Sequence, residues 1–467
     1  MWLLIPLLLI NGIASGENFI NKYRLDVGVP INILDVMLFM GLLLPLVPLQ
    51  RNRFQARVHP ALSRTVILYV LGAIAGSLGA LICSPAGPWE SVDSYSFLSM
   101  LRNFLTVPAA ALTAYMMLQK PTDTRRYAFW YIMAGVGTAI MTMLFFHAKG
   151  EQAKQALDLN ALRAMGYGPV VAGIAAVFLL WQIVSGNRQF SLPVALVLTG
   201  IAFVGQAATL SRSDWVSMSF AISGIYWLLP KGKRVGNMLR VALIGPVIAV
   251  FLVIGIIAAS KVTNANFQKR IADRIESLLP KERETTKTQK AWDTRLESQL
   301  REVELWMRSP IVGNGFGHKL IYNDAMQNCG GYGHNTWTFT LFCAGPVAVA
   351  AAGFAVVGSW ILGRRLLRDS GVGDPYFGLI GALCACSGAF IFMHGVTTAS
   401  FNTPRPAIFL GLTFGIAARA RAMQLQMMRE QQELDAYYDE NGHAADEFAP
   451  QEQYTTEPVF GGSFQLN

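Results

Sequence analysis

Residues 335–362 read NTWTFTLFCAGPVAVAAAGFAVVGSWIL and contain no charged side chain. As an α-helix this stretch would be about 40 Å long, whereas the hydrocarbon core of a bilayer is about 30 Å thick. Only helices and closed barrels satisfy their backbone groups in that core, and this run is too long and too uniformly apolar for a barrel strand. The stretch therefore predicts a transmembrane helix.

Apolar runs of this kind recur along the chain. Hydrophobic residues make up 53% of the sequence and charged residues only 14%, a balance that indicates a polytopic membrane protein. The sequence predicts an all-α membrane protein with about twelve transmembrane helices, the first of them uncleaved. They are expected near 2–15, 33–49, 64–83, 97–118, 127–148, 168–184, 190–209, 213–229, 238–259, 335–362, 376–396 and 404–422.

The distribution of charge predicts the orientation and four regions. Lysine and arginine are concentrated in alternate loops, which places both termini in the cytoplasm and the long segment 260–334 on the outer side. The regions are helices one to nine in 1–259, a large outer loop in 260–334, helices ten to twelve in 335–422, and an acidic cytoplasmic tail in 423–467. The tail is expected to be disordered after a helical extension to about Glu433. The formal net charge of +9 reflects this topology, and no nucleic-acid partner is expected.

The outer loop carries two recognisable elements. The segment from Thr285 to Arg308 predicts a helix that ends at Pro310 and places Arg295, Gln299, Glu302 and Trp306 roughly on one face. Next comes the glycine-rich turn Gly313-Asn314-Gly315-Phe316-Gly317. Such a turn brings backbone N–H groups close to phosphate, although the dinucleotide and P-loop patterns are both absent.

Titratable and cationic side chains point to the outer face as the functional surface. His334 follows a glycine run and immediately precedes the apolar helix, where an imidazole can accept a proton from a lipid-borne substrate. Arg102 lies inside the span 97–118, and Arg212 lies in the outer turn before the span 213–229. Arginine at such positions is costly and tends to mark function, although Arg212 could equally form an ion pair with Asp214.

These motifs together resemble the outer loop of the O-antigen ligase and polymerase superfamily. In that family an arginine about four turns before a proline, a Pro-x-x-Gly-x-Gly turn and a His-Asn pair recur in this order, as do Arg295, Pro310, Gly313, Gly315 and the pair His334-Asn335 here. Ser211-Arg212 is similar to the family's Ser-Arg element. The resemblance covers roughly residues 30–422, with Gln299 standing where the family usually has tryptophan.

The resemblance implies a metal-independent, inverting glycosyltransferase that moves a glycan from undecaprenyl diphosphate to an acceptor hydroxyl and needs no cofactor. It implies that His334, Arg295 and Arg212 are catalytic. The expected substrate contacts are Arg102, Gly313, Gly315, Gly317, Asn335, His318 and Arg405. A ligase with a lipid A-core acceptor is slightly preferred over a polymerase of glycan repeat units, and a flippase or exporter of the same lipid-linked glycan is the alternative from another class.

Several assignments stay open at the sequence level. His318 competes with His334, and His394 could line the same cavity or serve in packing. Asp35, Glu90 or Asp93 could hold the histidine or an arginine in place. Phe316, Tyr322, Tyr332 and Trp337 are candidate aromatics that face the sugar or the lipid.

Overall fold

The structure is a computed structural model. It describes residues 3–13, 25–26, 30–31, 33–43, 58–83, 90–92, 94–156, 169–209, 211–229, 287–320, 333, 335–370, 376–398 and 404–440, together with single residues at 232, 236 and 239. His334 and all of the predicted helix 238–259 except residue 239 lie outside these residues. The chain divides into two units, residues 1–421 and 422–467.

The described part is almost entirely helical. The helices are α1 (Leu4–Ile13), α2 (Ile33–Leu43), α3 (Pro60–Ile82), α4 (Ser94–Met117), α5 (Pro121–Ala156), α6 (Pro169–Ser185), α7 (Leu192–Ala208), α8 (Arg212–Leu228), α9 (Lys287–Trp306), α10 (Thr336–Asp369), α11 (Phe377–Thr397) and α12 (Pro404–Glu440). Two short antiparallel pairs join β1 (Leu25–Asp26) to β2 (Pro30–Ile31) and β3 (Glu90–Val92) to β4 (His318–Leu320).

The helix positions agree with the hydropathy pattern, and the all-α class is confirmed. Each predicted span except 238–259 coincides with a helix, and the predicted outer-loop helix is α9. Among the described residues, five helices are long and apolar enough to cross a membrane: Pro60–Ile82, Ser96–Met117, Pro121–Leu144, Thr336–Asp369 and Phe377–Thr397. The chain therefore has the character of a membrane protein, whereas the number of twelve spans stays a prediction.

Helix α12 extends beyond the predicted span 404–422. A helical extension to about Glu433 was expected before the disordered tail, and the helix continues to Glu440. Side chains one turn apart stabilise this extension, because Gln426 donates to Glu430 and Gln431 donates to Asp435, each at 2.8 Å. Residues 441–467 lie outside the described part.

Helix α10 is central to the packing and contacts α3, α9 and α11. Small residues let the backbones approach closely, as membrane helices require. A Cβ on Gly363 of α10 would overlap the Gly381 carbonyl of α11, and one on Gly381 would lie 2.8 Å from the Gly363 carbonyl. Helix α11 in turn packs on α8, so the starts of α8 and α10 and the end of α11 are brought to one end of the bundle.

Helix α10 is broken at Gly345-Pro346, and the glycine-rich turn fills the break. Gly345 has a φ of 72° and a ψ of −174°, which no helix contains, and Pro346 has no N–H to donate to the Phe342 carbonyl. The Asn314 N–H instead donates to Phe342 O at 2.7 Å, and the Gly315 N–H donates to Cys343 O at 2.8 Å. The break is therefore satisfied by protein, as a membrane interior demands.

The same turn is locked against α3 and α4. The Phe316 N–H donates to the Gly76 carbonyl at 3.0 Å, and a Cβ on Gly315 would overlap the Ala80 backbone nitrogen. The Gly317 N–H lies 3.2 Å from Met100 Sδ of α4. The turn thus packs beside residues 76–80, in the last two turns of α3.

We expect Gly315→Ala to lower stability strongly. Gly315 has a φ of 104°, which costs an L-residue about 1–3 kcal/mol, and the added methyl would also overlap α3. Gly353→Ala is the matched control, because nothing lies within 4 Å of that position and alanine is the better helix former there by about 1 kcal/mol. Apparent melting temperatures in detergent should fall for the first variant and hold or rise for the second. Equal values would contradict the role given to the turn.

Candidate functional site

The first turn of α10 is the point where buried polar side chains of α8, α9 and α11 meet. Asn335 is the N-cap, and its Oδ1 accepts hydrogen bonds from the N–H groups of Trp337 at 2.8 Å and Thr338 at 3.3 Å. Asn335 was also predicted to contact substrate, and that contact stays a prediction beside the capping role of its side chain. His334 is the residue before this cap in the chain.

Glu302 of α9 reaches the same turn. Ser298, Glu302 and Leu305 form the buried face of α9, and the Thr338 hydroxyl donates to Glu302 Oε2 at 2.5 Å. The other carboxyl oxygen lies so close to Gly333 that a Cβ there would overlap it, and it has no hydrogen-bond partner among the described residues. The carboxyl therefore lies against both chain segments that flank His334.

Arg295, Gln299 and Trp306 were predicted to share one face of α9 with Glu302, and the structure shows this arrangement only in part. Arg295 and Gln299 are half-buried, on the flanks of the buried face. The Trp306 indole N–H donates to the Pro310 carbonyl at 3.0 Å, so this tryptophan fixes the end of the helix. Sequence reasoning placed Glu302 on the face but assigned it no role.

Burial changes the charge state of Glu302. It raises the pKa of this carboxyl to about 8, and the hydrogen bond from Thr338 offsets the rise only in part. Glu302 is therefore largely protonated at neutral pH. A neutral carboxyl can donate a hydrogen bond as well as accept one, which a carboxylate cannot.

We expect this buried acid to make stability depend on pH. The folded state holds the proton more tightly than the unfolded chain, so stability should be greatest at low pH and should fall as pH rises from about 4.5 towards about 8. Glu302→Gln keeps the shape and cannot ionise. Melting temperatures measured across this range should therefore show a smaller decline for Glu302→Gln than for the wild type, and parallel curves would contradict the assignment.

A second buried group approaches the start of α10 from α8 and α11. His394 Nε2 lies 2.9 Å from Asp214 Oδ1, with side-chain exposures of 3% and 6%, and His394 Nδ1 lies 3.0 Å from the Thr398 hydroxyl. The Thr398 carbonyl accepts from the Thr336 N–H at 3.1 Å and from the Thr336 hydroxyl at 2.7 Å. Hydrogen bonds thus connect the first turn of α8, the end of α11 and the first turn of α10.

These hydrogen bonds bear on the role of His394, which the sequence left open. His394, which could have lined a cavity or served in packing, is a buried partner of Asp214. Asp214 was considered only as an ion-pair partner of Arg212, the first residue of α8, and the structure places its carboxyl against the His394 imidazole. Arg212 is half-buried two residues before it.

Arg102 of α4 pairs with a different helix, α2. Its Nη1 lies 3.6 Å from Asp35 Oδ2 of α2, and its Nε and Nη2 donate to Asn103 Oδ1 at 3.3 and 3.1 Å. The expectation that Asp35 could hold an arginine is thus met at Arg102. The structure does not bring Arg102 together with Glu302 or His394 through any contact between described residues.

The backbone amides of the glycine-rich turn are hydrogen-bonded within the protein. The N–H groups of Asn314, Gly315 and Phe316 are bound to carbonyls of α10 and α3, and those of Gly313 and Gly317 to Ser309 O and Met100 Sδ. No amide of the turn is left to hold a phosphate. Gly313, Gly315 and Gly317 therefore have a structural role in helix packing, and their predicted contact with substrate stays a prediction.

The remaining candidates are distributed as follows. His318 is fully buried in β4 with its ring edge-on to Phe342. Phe316 is buried against Phe104 and is not a surface aromatic. Trp337 packs on Phe392 with ring centroids 5.7 Å apart.

Five other predicted positions lie outside the part of the chain, or the side chains, that the structure describes. The side chains of Arg405 and Glu90 are not described, and neither are residues Asp93, Tyr322 and Tyr332. Within the described ranges, no group of three or more His, Cys, Asp or Glu side chains could hold a metal ion. Metal independence stays a prediction.

Neither a scan against protein-family models nor a search of curated proteins found a match to this chain. The functional assignment therefore depends on the residues of this site and on the sequence motifs around them.

Proposed function

We propose that the protein is a membrane glycosyltransferase similar to O-antigen ligases and polymerases. It transfers a glycan from undecaprenyl diphosphate to an acceptor hydroxyl, with inversion and without a metal ion. One observation carries most of the support, namely the buried polar network at the first turn of α10. Glu302 and Thr338 form one side of it, and the chain Asp214–His394–Thr398–Thr336 forms the other.

The chemistry of the reaction matches the residue types around this turn. A sugar C1 bonded to diphosphate already has a good leaving group, so the enzyme must stabilise the developing diphosphate charge and remove the proton of the attacking hydroxyl. Arg212 and Arg295 suit the first task, because the planar guanidinium matches phosphate oxygens. His334 takes the second. The Glu302 carboxyl, neutral at the pH of the reaction, lies against the chain on both sides of this histidine without adding a charge that would repel the diphosphate.

The proposed setting is the inner membrane of a bacterium. The chain crosses it twelve times with both termini in the cytoplasm, so that the loop 260–334 and the first turn of α10 face the periplasm. Lipid-linked glycans are presented on that side. The acceptor is lipid A-core in the preferred form of the proposal and another glycan repeat in the alternative form.

A transfer assay tests the proposal directly. Purified protein in liposomes is mixed with undecaprenyl-diphosphate glycan and either lipid A-core or a second glycan carrier, and the products are resolved by mass. A product on lipid A-core supports a ligase, and lengthened glycan supports a polymerase. Movement of the donor across the bilayer without any new glycosidic bond would show a flippase and overturn the proposal.

Activity should survive an excess of chelator. The arginines supply the positive charge that a divalent cation would otherwise provide to the leaving diphosphate. The measurement is the same transfer assay with and without chelator. Loss of product that magnesium or manganese restores would reveal a cation site and contradict the metal-free mechanism.

A further inference from the structure

Helix α9 presents three different stripes along its length. Ser298, Glu302 and Leu305 face the protein and are 0–1% exposed. Leu296, Leu300 and Met307 recur at helical spacing on another side and are 59%, 63% and 69% exposed. Between these two, on the side not occupied by Trp306, lie the charged residues Glu297, Arg301 and Glu304, the last two in a salt bridge of 2.7 Å.

This division into a buried, an exposed apolar and a charged stripe differs from the pattern of a helix whose exposed surface faces only water. A helix that packs on a protein and otherwise faces water needs one apolar stripe, and its remaining surface is polar. Here the exposed surface is itself divided into an apolar and a charged stripe. Such a division is typical of helices that lie at the surface of a membrane, where one side meets acyl chains and the other meets water.

The position of α9 in the fold indicates what covers its apolar stripe. Its end is tied to the glycine-rich turn, because Asn314 Nδ2 donates to the Leu305 carbonyl at 3.0 Å, and that turn packs against Gly76–Ala80 of α3. Helix α3 is long and apolar enough to span a membrane, and near this end it exposes Leu78, Leu81 and Ile82.

Ile311, 75% exposed, lies in the short connection between the end of α9 and that turn. Exposed apolar residues therefore occur on α9, on the connection at Ile311 and on the end of the candidate span α3 against which the turn packs. This distribution favours lipid as the occupant over water or a second protein.

We propose that α9 lies in the membrane surface, with Leu296, Leu300 and Met307 among the acyl chains of the adjoining leaflet. Glu297, Arg301 and Glu304 then face the water above. This lipid contact is independent of the reaction proposed above. If α9 lies in the membrane surface, its Glu302 side is at the depth of the lipid headgroups. A lipid-linked donor can then approach Glu302 from within the leaflet.

Spin labels on the full-length protein in liposomes test the inference. Cys83 and Cys329 are first replaced by serine. Cys343, Cys384 and Cys386 stay in place, because they are buried and should not react. Single cysteines are then introduced as Leu296→Cys and Leu300→Cys, with Glu297→Cys and Glu304→Cys as matched controls on the same helix. Collision rates are measured with oxygen, which concentrates in lipid, and with a water-soluble nickel chelate.

The labels at 296 and 300 should collide several-fold more with oxygen than with the nickel chelate, and the labels at 297 and 304 should show the reverse. Equal nickel accessibility at 300 and 304 would place the stripe in water and overturn the inference. Low accessibility to both reagents at 300 would show a protein partner and would overturn it as well.

The native chain provides a second measurement in case the variants do not fold. A phospholipid with a photoactivatable carbene precursor near the headgroup end of an acyl chain should insert into residues 296–307. Insertion into the spans alone, with none in α9, would also overturn the inference.

Discussion

Replacing His334 with alanine should lower glycan transfer by about 10²–10⁴-fold, the usual cost of removing a general base. Donor binding should persist, because the diphosphate is held by arginines and not by the imidazole. The wild-type rate should also fall on acidification, since a protonated imidazole cannot accept the proton of the acceptor hydroxyl. The measurement is the initial rate of transfer by variant and wild type at equal amounts of folded protein.

His318→Ala is the matched control for this prediction. His318 is buried in β4 against Phe342, so its replacement should reduce stability more than the rate per folded molecule. A normal rate for His334→Ala together with an inactive, folded His318→Ala would show that the wrong histidine has been chosen.

Arg212→Lys and Arg295→Lys should each lower the rate by on the order of 10²-fold, as does loss of one donor to a developing charge in other enzymes. Lysine keeps the positive charge but loses the planar fork that binds two phosphate oxygens together. Initial rates at saturating donor isolate this effect from weaker binding.

Arg126→Lys provides the comparison, because Arg126 is 70% exposed in its salt bridge with Asp123 near the start of α5 and should tolerate lysine. If both Arg212→Lys and Arg295→Lys turned over at the wild-type rate, these arginines would have no part in binding the diphosphate.

Much of the fold could be predicted because hydropathy is a local property. The runs that predict α3, α10 and α11 are long and apolar, and Pro310 correctly limits the helix before it. The end of α12 was harder to locate. It depends on hydrogen bonds such as that from Gln431 to Asp435, which a count of apolar residues does not register.

The site could be predicted only in part, because its contacts depend on how helices rotate and pack against one another. Glycine spacing shows that a backbone approaches something closely, but not whether this is a phosphate or another helix. Other residues indicated that the turn approaches helices and not a phosphate. They are Gly76 and Gly79 of α3 and the Gly345-Pro346 pair of α10. The Asp214–His394 pair joins residues 180 positions apart, and no local pattern predicts it.

The break in α10 has a consequence for how the protein is made. The carbonyls of Phe342 and Cys343 receive their hydrogen bonds from Asn314 and Gly315, which are translated earlier and belong to the preceding loop. If α10 entered the bilayer before that loop had folded, these carbonyls would lack partners in hydrocarbon, at a cost of several kcal/mol each. Gly76 of α3, which binds the same turn, must also be in place. Biogenesis should therefore be ordered, with the loop docking on α3 before α10 settles into the membrane.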